Sequence, residues 1–532
     1  MAVDRNAPII VIGAGTFGLS TVLHLSQAGY TNISVYEQDT SIPPRQSAAN
    51  DINKIVRAEY EDPFYTDLAI VRRRLHHLPP STLLNMALLG PSPPRTITTT
   101  TTNTPLSPHQ KATTTWLTSP LFSPHFHQTG FLHCVSGAAP AKARATLSRF
   151  HAAAAAHPLL RPHVELVPDA AAARRLLQLR DPTTSDAQHD DAQHDAQLAP
   201  LAPLAPLAPL APLPGWHGYL NRFDGYARSG AALRGVYDEL EARKAARFCL
   251  GRRAVGIVYE ATASSSSSSP LCRKAVGVRT VAAAAAADGD DDEEAVHRAA
   301  VVIVACGAGA ARVVPEAAAA AGAAAGVVAK SWSVAHVRLT REEAAALRGI
   351  PVTYARDLGF FFEPEPRTGL LKLCPMGGGY VNTRGRDEGV SLPPPLGDES
   401  AFMPEGDERK VRELLRQALP GLAERPLVGK SLCWFADTSD SDFVIDYVPG
   451  TDRSVVLLSG DSGHGFKMFP VFGEWVKALL EAGDGKQPVE RWRWKASGPG
   501  QEKGADWGGD VSWRLGETAE FEDVKPDAKS KL

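Results

Sequence analysis

The stretch "PIIVIGAGTFGLSTVLHLSQAG" near the start of the chain limits the fold more than any other. Its unbroken apolar opening suits a strand buried on both faces. Gly13, Gly15 and Gly18 then form GxGxxG at the turn into an apolar-periodic helix. In such a turn the first glycine allows the tight bend, the second lets a pyrophosphate approach the backbone, and the third lets helix and strand pack closely. The free amides of the helix N-terminus favour phosphate charge. "NISVYEQD" supplies a second strand, and its terminal acid, Glu37, is placed to accept hydrogen bonds from a ribose. Strand, glycines, helix and acid in this order predict a nucleotide-binding α/β unit.

The pattern returns twice. "AAVVIVACGAGAARVVP" is a second buried strand ending in a glycine turn at Gly307, and "SVVLLSGDSGHGFKMFPVFGEWVKALLE" runs strand, glycine loop, helix. Between them, from "KSWSVAHVRLT" to "LLKLCPMGGGYVN", apolar and polar residues alternate as in antiparallel strands, which predicts a second, sheet-based domain. A chain of 532 residues exceeds one ordinary domain. "TITTTTTNT", "DAQHDDAQHDAQ", "LAPLAPLAPLAPLAPLP", "ASSSSSSP" and "AAAAAADGDDDEE" are short-period repeats that build no specific core and read as surface insertions. The histidines of the second repeat belong to a solvated segment, and no metal site is expected.

A net charge of −3 gives no basic field for a polyanion, so nucleic acid is not an expected partner. Six cysteines, with no CxxC spacing, indicate neither a disulfide framework nor structural zinc. The polar lead before the first strand lacks the plan of a secretory signal, and the alanine runs are too interrupted to span a bilayer. The chain closes on Ser530, Lys531 and Leu532, the C-terminal tripeptide read by the peroxisomal import receptor. A peroxisomal location and that receptor as a partner are therefore expected.

"GAGTFGLS", "SAANDINKIVRAEY", "LLKLC", "CWFADTSDSDFVID" and "SGDSGHGFK" occur in an order and at separations that resemble the FAD-dependent amine oxidases of the D-amino-acid-oxidase superfamily. The likeness is to monomeric sarcosine oxidase, fungal saccharopine and pipecolate oxidases, and fructosyl amino acid oxidases (amadoriases), and it covers most of the sequence outside the insertions. It implies an α/β fold, a Rossmann-like FAD-binding domain with a second α+β substrate domain on a mostly antiparallel sheet. The FAD-binding domain is expected in segments 1–75, 215–330 and 426–490, the substrate domain in 76–214 and 331–425, and a tail in 491–532.

The resemblance also assigns residues. Cys433 matches the cysteine that carries the flavin through a thioether; read alone, a lone cysteine is by default a small buried hydrophobe. Lys372 matches the lysine that activates dioxygen, and on a period-two strand its neighbours Leu371 and Leu373 face away from it. Arg57 matches an arginine that holds the substrate carboxylate and Lys467 the lysine that assists it; an ion pair of Arg57 with Glu59 or Glu61 is the structural alternative. Lys54 matches a basic residue near the flavin ring, and His464 falls where sarcosine oxidases have histidine. Ser47, Asp461, Gly463 and Gly465 lie in the flavin-contacting motifs with Gly13, Gly15, Gly18, Glu37 and Gly307.

The implied reaction oxidises a secondary-amine amino acid, such as an N-methyl amino acid, pipecolate or saccharopine, to an imine. Dioxygen takes the electrons and becomes hydrogen peroxide. Amadoriases lack an arginine at the place of Arg57 and carry an acid where this chain has Met376, and the histidine that sarcosine oxidase has near there is missing too. An amadoriase, an amine dehydrogenase and a flavin-binding scaffold are the alternatives.

Overall fold

The computed structural model describes residues 2–70, 112–177, 213–261, 273–283, 294–317, 326–384, 390–394, 398–495 and 516–526. The low-complexity repeats, apart from a few residues at their ends, and Ser530-Lys531-Leu532 lie outside these residues. The strand predicted from the opening apolar run spans Ile9–Ile12 and the second Ile33–Glu37, with the helix Thr16–Gln27 between them. Both strands join a six-stranded sheet in the order Val444–Tyr447, Val455–Ser459, Val301–Val304, Ile9–Ile12, Ile33–Glu37, Arg247–Leu250. All neighbours in it are parallel except the first pair. The three glycine-terminated strands read from the sequence thus lie side by side in one sheet, although some 450 residues separate the first from the last in the chain.

Close approach explains the glycines of the first turn. Gly13 has φ +104°, and a Cβ on Gly18 would lie 1.9 Å from the Gly13 carbonyl oxygen. The valines and isoleucines of these strands are buried on both faces, each contributing about 1.5–3 kcal/mol relative to exposure. On one side the helix Thr16–Gln27 meets the helix Phe472–Glu481, with Phe17 edge-on to Phe472 at 4.5 Å.

A ten-stranded sheet builds the second layer. Its long central strand, Val328–Arg338, pairs antiparallel with Leu370–Pro375 on one side and Leu427–Asp437 on the other. The sheet continues through Gly359–Phe361, Val352–Ala355, Phe131–Val135, His217–Asn221 and Val164–Val167. A short sheet of Lys54–Val56, Gly225–Ala227 and Phe126–His127 sits between the two layers' segments in the chain.

Part of the C-terminal stretch is built into this layer. Ala519–Glu520 adds a parallel strand to Tyr380–Val381, and Phe521 is fully buried against Trp434, ring centroids 5.7 Å apart. The glycine run at 377–379 makes room for it: a Cβ on Gly378 would lie 2.0 Å from the Glu517 carbonyl oxygen.

Candidate active site

The central strand pairing brings the first group of predicted residues together. Cys433 stands opposite Trp332 across the Val328–Arg338 strand, and on that strand's other side Lys372 stands opposite His336. Leu371 and Leu373 are buried in the core of the second layer, so strand alternation turns Lys372 the other way. There it meets the loop that precedes Lys54. Lys372 Nζ donates to the Asn53 carbonyl oxygen at 2.8 Å and pairs with Asp51 Oδ2 at 2.5 Å. Lys54 Nζ lies 3.0 Å from the same Asp51 oxygen and 3.8 Å from Cys433 Sγ. Cys433, Lys54 and Lys372, far apart in sequence, are thus tied into one cluster.

Asp51, which sequence reasoning did not single out, is the tie. Burial opposes its charge, yet the ammoniums of Lys372 and Lys54 hold its carboxyl below the usual carboxylate range. Burial likewise opposes charge on Lys54, and Cys433 and Asp51 beside it hold its ammonium above the ordinary lysine range. Two ammoniums share one carboxylate, so the cluster carries a surplus positive charge, suited to negative charge that develops next to it.

The second group surrounds Tyr60. Arg57 Cζ lies 4.8 Å from the centre of the Tyr60 ring and Lys467 Nζ 4.5 Å from it. The ion-pair alternative for Arg57 is not what forms: its guanidinium donates to the main-chain carbonyl of Glu59. The Glu59 carboxylate is held instead by Tyr219 (2.6 Å) and Asn221 (2.8 Å), and Glu61 pairs with Arg149 at 2.5 Å. Lys467 is 4% exposed and makes no ion pair among the described residues. Burial, reinforced by Arg57, pushes its ammonium well below the ordinary range, and Asp224 and Glu59 offset part of this. Two cations over one aromatic ring, with no carboxylate ion pair among the described residues, can receive an anion. His464 is held by Tyr60 Oη at 3.1 Å and the Ser441 carbonyl oxygen at 2.8 Å, and it stacks on Phe443. Its ring thereby braces Tyr60.

The residues expected to bind the nucleotide gather at the C-terminal ends of the parallel strands. Glu37 accepts the Ala14 N–H at 2.8 Å and the Asp39 N–H at 2.9 Å, which fixes the turn and leaves its carboxylate at the strand end. Burial pushes its carboxyl up. A Cβ on Gly15 would lie 3.2 Å from Ser47 Oγ, and one on Gly307 would meet only open space. Asp461 accepts the Ala436 N–H at 2.9 Å. Burial pushes its carboxyl up to about 7, with Asp437 adding to the effect. Gly463 and Gly465 shape the same loop, the former against the Trp332 ring and the latter against Asp461.

These surroundings fit a flavin dinucleotide. The helix Thr16–Gln27 begins with no side-chain cap and no acid in its first turn, so its amides are available to phosphate. Near Cys433 and Lys372, Asn53 Oδ1, Ser331 Oγ and Trp332 Nε1 are buried and lack a hydrogen-bond partner among the described residues. Buried polar atoms of this kind call for a polar ligand.

Comparison with known proteins agrees. Residues 8–479 match the family model DAO, FAD dependent oxidoreductase. L-saccharopine oxidase of Schizosaccharomyces pombe is 34% identical over 174 residues, 32% of this chain and 40% of that protein. The human peroxisomal sarcosine oxidase is 39% identical over 74 residues, 14% of this chain and 18% of that protein. The matched stretches thus span well under half the length of these relatives. Among solved structures, the deglycating enzyme fructosamine oxidase of Aspergillus fumigatus (Amadoriase II) superposes with a TM-score of 0.71 at 25% identity, covering 99% of this chain and 98% of that one.

Proposed function

Because the chain belongs to the DAO family of FAD dependent oxidoreductases, we propose that it oxidises amino acids bearing a secondary amine, with dioxygen as electron acceptor. The observation that carries this reading is the pair of clusters: Cys433, Lys54, Asp51 and Lys372 on one side, Arg57 and Lys467 over Tyr60 on the other. Bound FAD supplies the two-electron chemistry. The residues of the chain anchor, orient and stabilise. Cys433 is the proposed covalent anchor, with Lys54 Nζ 3.8 Å from its sulfur. Arg57 and Lys467 take the substrate carboxylate, which fixes the amine-bearing carbon relative to the anchor. Lys372, paired with Asp51, stabilises negative charge as dioxygen is reduced to hydrogen peroxide. Glu37, the turn glycines, Ser47, Gly307 and the loop of Asp461, Gly463 and Gly465 hold the dinucleotide.

The superposition on Amadoriase II favours a second reading, oxidation of fructosyl amino acids. Arg57, and Met376 in place of an acid, weigh against it. The tripeptide Ser530-Lys531-Leu532 and the peroxisomal relative support a peroxisomal location.

Acid precipitation tests the anchor. The flavin chromophore is expected to stay in the washed pellet of the wild type and to leave that of Cys433→Ala. Peroxide formation with sarcosine, pipecolate, saccharopine and fructosyl amino acids then ranks the substrates. Full release of flavin from the wild type, or peroxide from none of these amines, refutes the corresponding half of the proposal.

A further inference from the structure

Two carboxyl groups lie close to the pair of Arg57 and Lys467. Glu59 and Asp224 are both 0% exposed. One amide nitrogen, Asn221 Nδ2, donates to Glu59 Oε2 at 2.8 Å and to Asp224 Oδ2 at 2.9 Å. The two carboxyl oxygens are therefore less than about 6 Å apart, away from bulk solvent. Two negative charges so placed repel, and such a pair holds one proton between its members over a wide range of pH. Their neighbours decide which member keeps it. Glu59 Oε1 accepts from Tyr219 Oη at 2.6 Å and lies 3.4 Å from His133 Nδ1. Burial pushes His133 down to about 4, so its ring is neutral near pH 7. Arg356 donates to its Nε2 at 3.0 Å, which leaves the ring proton on Nδ1, on the side of Glu59 and Tyr219. Burial opposes charge on Glu59, yet His133, Tyr219 and Arg57 hold its carboxyl below the usual range. Asp224 accepts only the shared amide and the Ala58 N–H, the latter at 2.7 Å, among the described residues. Burial, and then the charge of Glu59, push its carboxyl well above the usual range.

The other groups that face the pair are Tyr60, Tyr219, Arg57 and Lys467. Burial keeps both phenols neutral near pH 7. The charge count then decides what the receptor can hold. With one proton on the pair, Arg57 and the Lys467 ammonium exceed the buried anions by one, and a substrate carboxylate completes the balance. With no proton on it, the cations are already matched, and an incoming carboxylate meets two buried negative charges. We propose that Asp224 carries the proton that keeps the carboxylate receptor positive, and that capture of the substrate carboxylate returns this proton from water wherever it has been lost. Asp224 acts through Arg57 and Lys467 and is a positioning residue. The proposal rests on the reading of those two cations as the site of the substrate carboxylate. The sign follows from linkage: affinity for a carboxylate is full while Asp224 is protonated and falls as pH rises through its folded-state pKa.

Calorimetric titration of the flavin-loaded protein with a carboxymethyl thioether tests this. The ligand offers no amine to oxidise, and its carboxyl stays ionised from about pH 5 to about pH 10. In the wild type, Kd should be flat at low pH and, beyond a break, rise toward about 10-fold per pH unit. Above the break, buffers of different ionisation enthalpy should report uptake of close to one proton per ligand. Asp224→Asn carries no negative charge and keeps an oxygen for the Ala58 N–H. It should bind as the wild type does below the break and move the break up by about one pH unit or more. Lys467→Arg, whose guanidinium stays charged, should keep both the break and the proton uptake. A wild type without a break overturns the proposal. So does a break that stays or moves down in Asp224→Asn, or one that vanishes in Lys467→Arg, because Lys467 is then the group that titrates. If Asp224→Asn does not fold, Lys467→Arg alone decides. A thioether that binds at no pH sinks the carboxylate reading of Arg57 and Lys467 and this proposal with it, whereas binding without the expected shifts sinks this proposal alone.

Discussion

Replacing Asp51 by asparagine keeps the shape of the side chain and removes the charge that two lysines share. The lost contacts are those at 2.5 Å to Lys372 and 3.0 Å to Lys54. Two charge-assisted hydrogen bonds at about 1.5–3 kcal/mol each set the upper scale. Breaking a buried pair by removal of one partner costs about 3–5 kcal/mol. Lys372 is 2% exposed and recovers nothing from water, whereas Lys54 is 21% exposed and recovers part of its hydration. The expected loss is therefore at the lower end, about 3 kcal/mol.

Urea unfolding followed by tryptophan fluorescence, on samples matched for flavin content, reads this out. The acid limb gives a second check. Because the folded-state pKa of Asp51 is depressed, its contribution is fully present above the unfolded carboxyl pKa of about 3.9. It fades as pH falls below that value toward the folded one. The gap between wild type and Asp51→Asn should thus be flat from pH 7 down to about 5 and narrow below about 4. A gap under about 1 kcal/mol at pH 7, with parallel acid limbs, would refute the claim that this carboxylate organises the cluster.

Lys372→Met should slow reoxidation of the reduced protein by dioxygen about 100-fold or more while affecting reduction by substrate far less, which stopped-flow absorbance separates. Gly18→Ala places a Cβ 1.9 Å from the Gly13 carbonyl oxygen, so a loss of about 1–3 kcal/mol and weaker nucleotide retention are expected, read by thermal unfolding and flavin content. For Asp461 the sign is opposite to that of Asp51: its folded pKa is raised to about 7, so its contribution is present at low pH and fades as pH rises from about 4 through 7. Asp461→Asn should therefore gain stability relative to wild type between pH 5 and pH 8 in paired urea titrations.

The parallel sheet was legible because its strands are apolar on both faces and end in glycines, signals local to each segment. Cys433, Lys372 and Lys54 were legible only through their likeness to a family, since a lone cysteine and a strand lysine carry no mark of their own. Asp51 stands three residues from Lys54 in a motif that drew attention, yet what makes it matter is contact with a strand more than 300 residues away. The same holds for Arg57, Tyr60 and Lys467, which meet only after segments some 400 residues apart in the chain converge. Phe521 lies in a charged stretch that reads as free tail, and its burial depends on the space left by Gly378 and on the ring of Trp434.

That buried phenylalanine has a practical side. Beyond it, Arg384 pairs with Asp523 and Lys525 with Glu399, so the chain is fastened to the body until only a few residues remain before Leu532. Trp434, the socket wall for Phe521, is the immediate neighbour of Cys433. A truncation from residue 516 onward, made to remove the proposed targeting tripeptide, would also unplug the strand that carries the cysteine. Protein from such a clone is then expected to hold less flavin, wherever it resides. Edits confined to the last three residues leave those contacts in place.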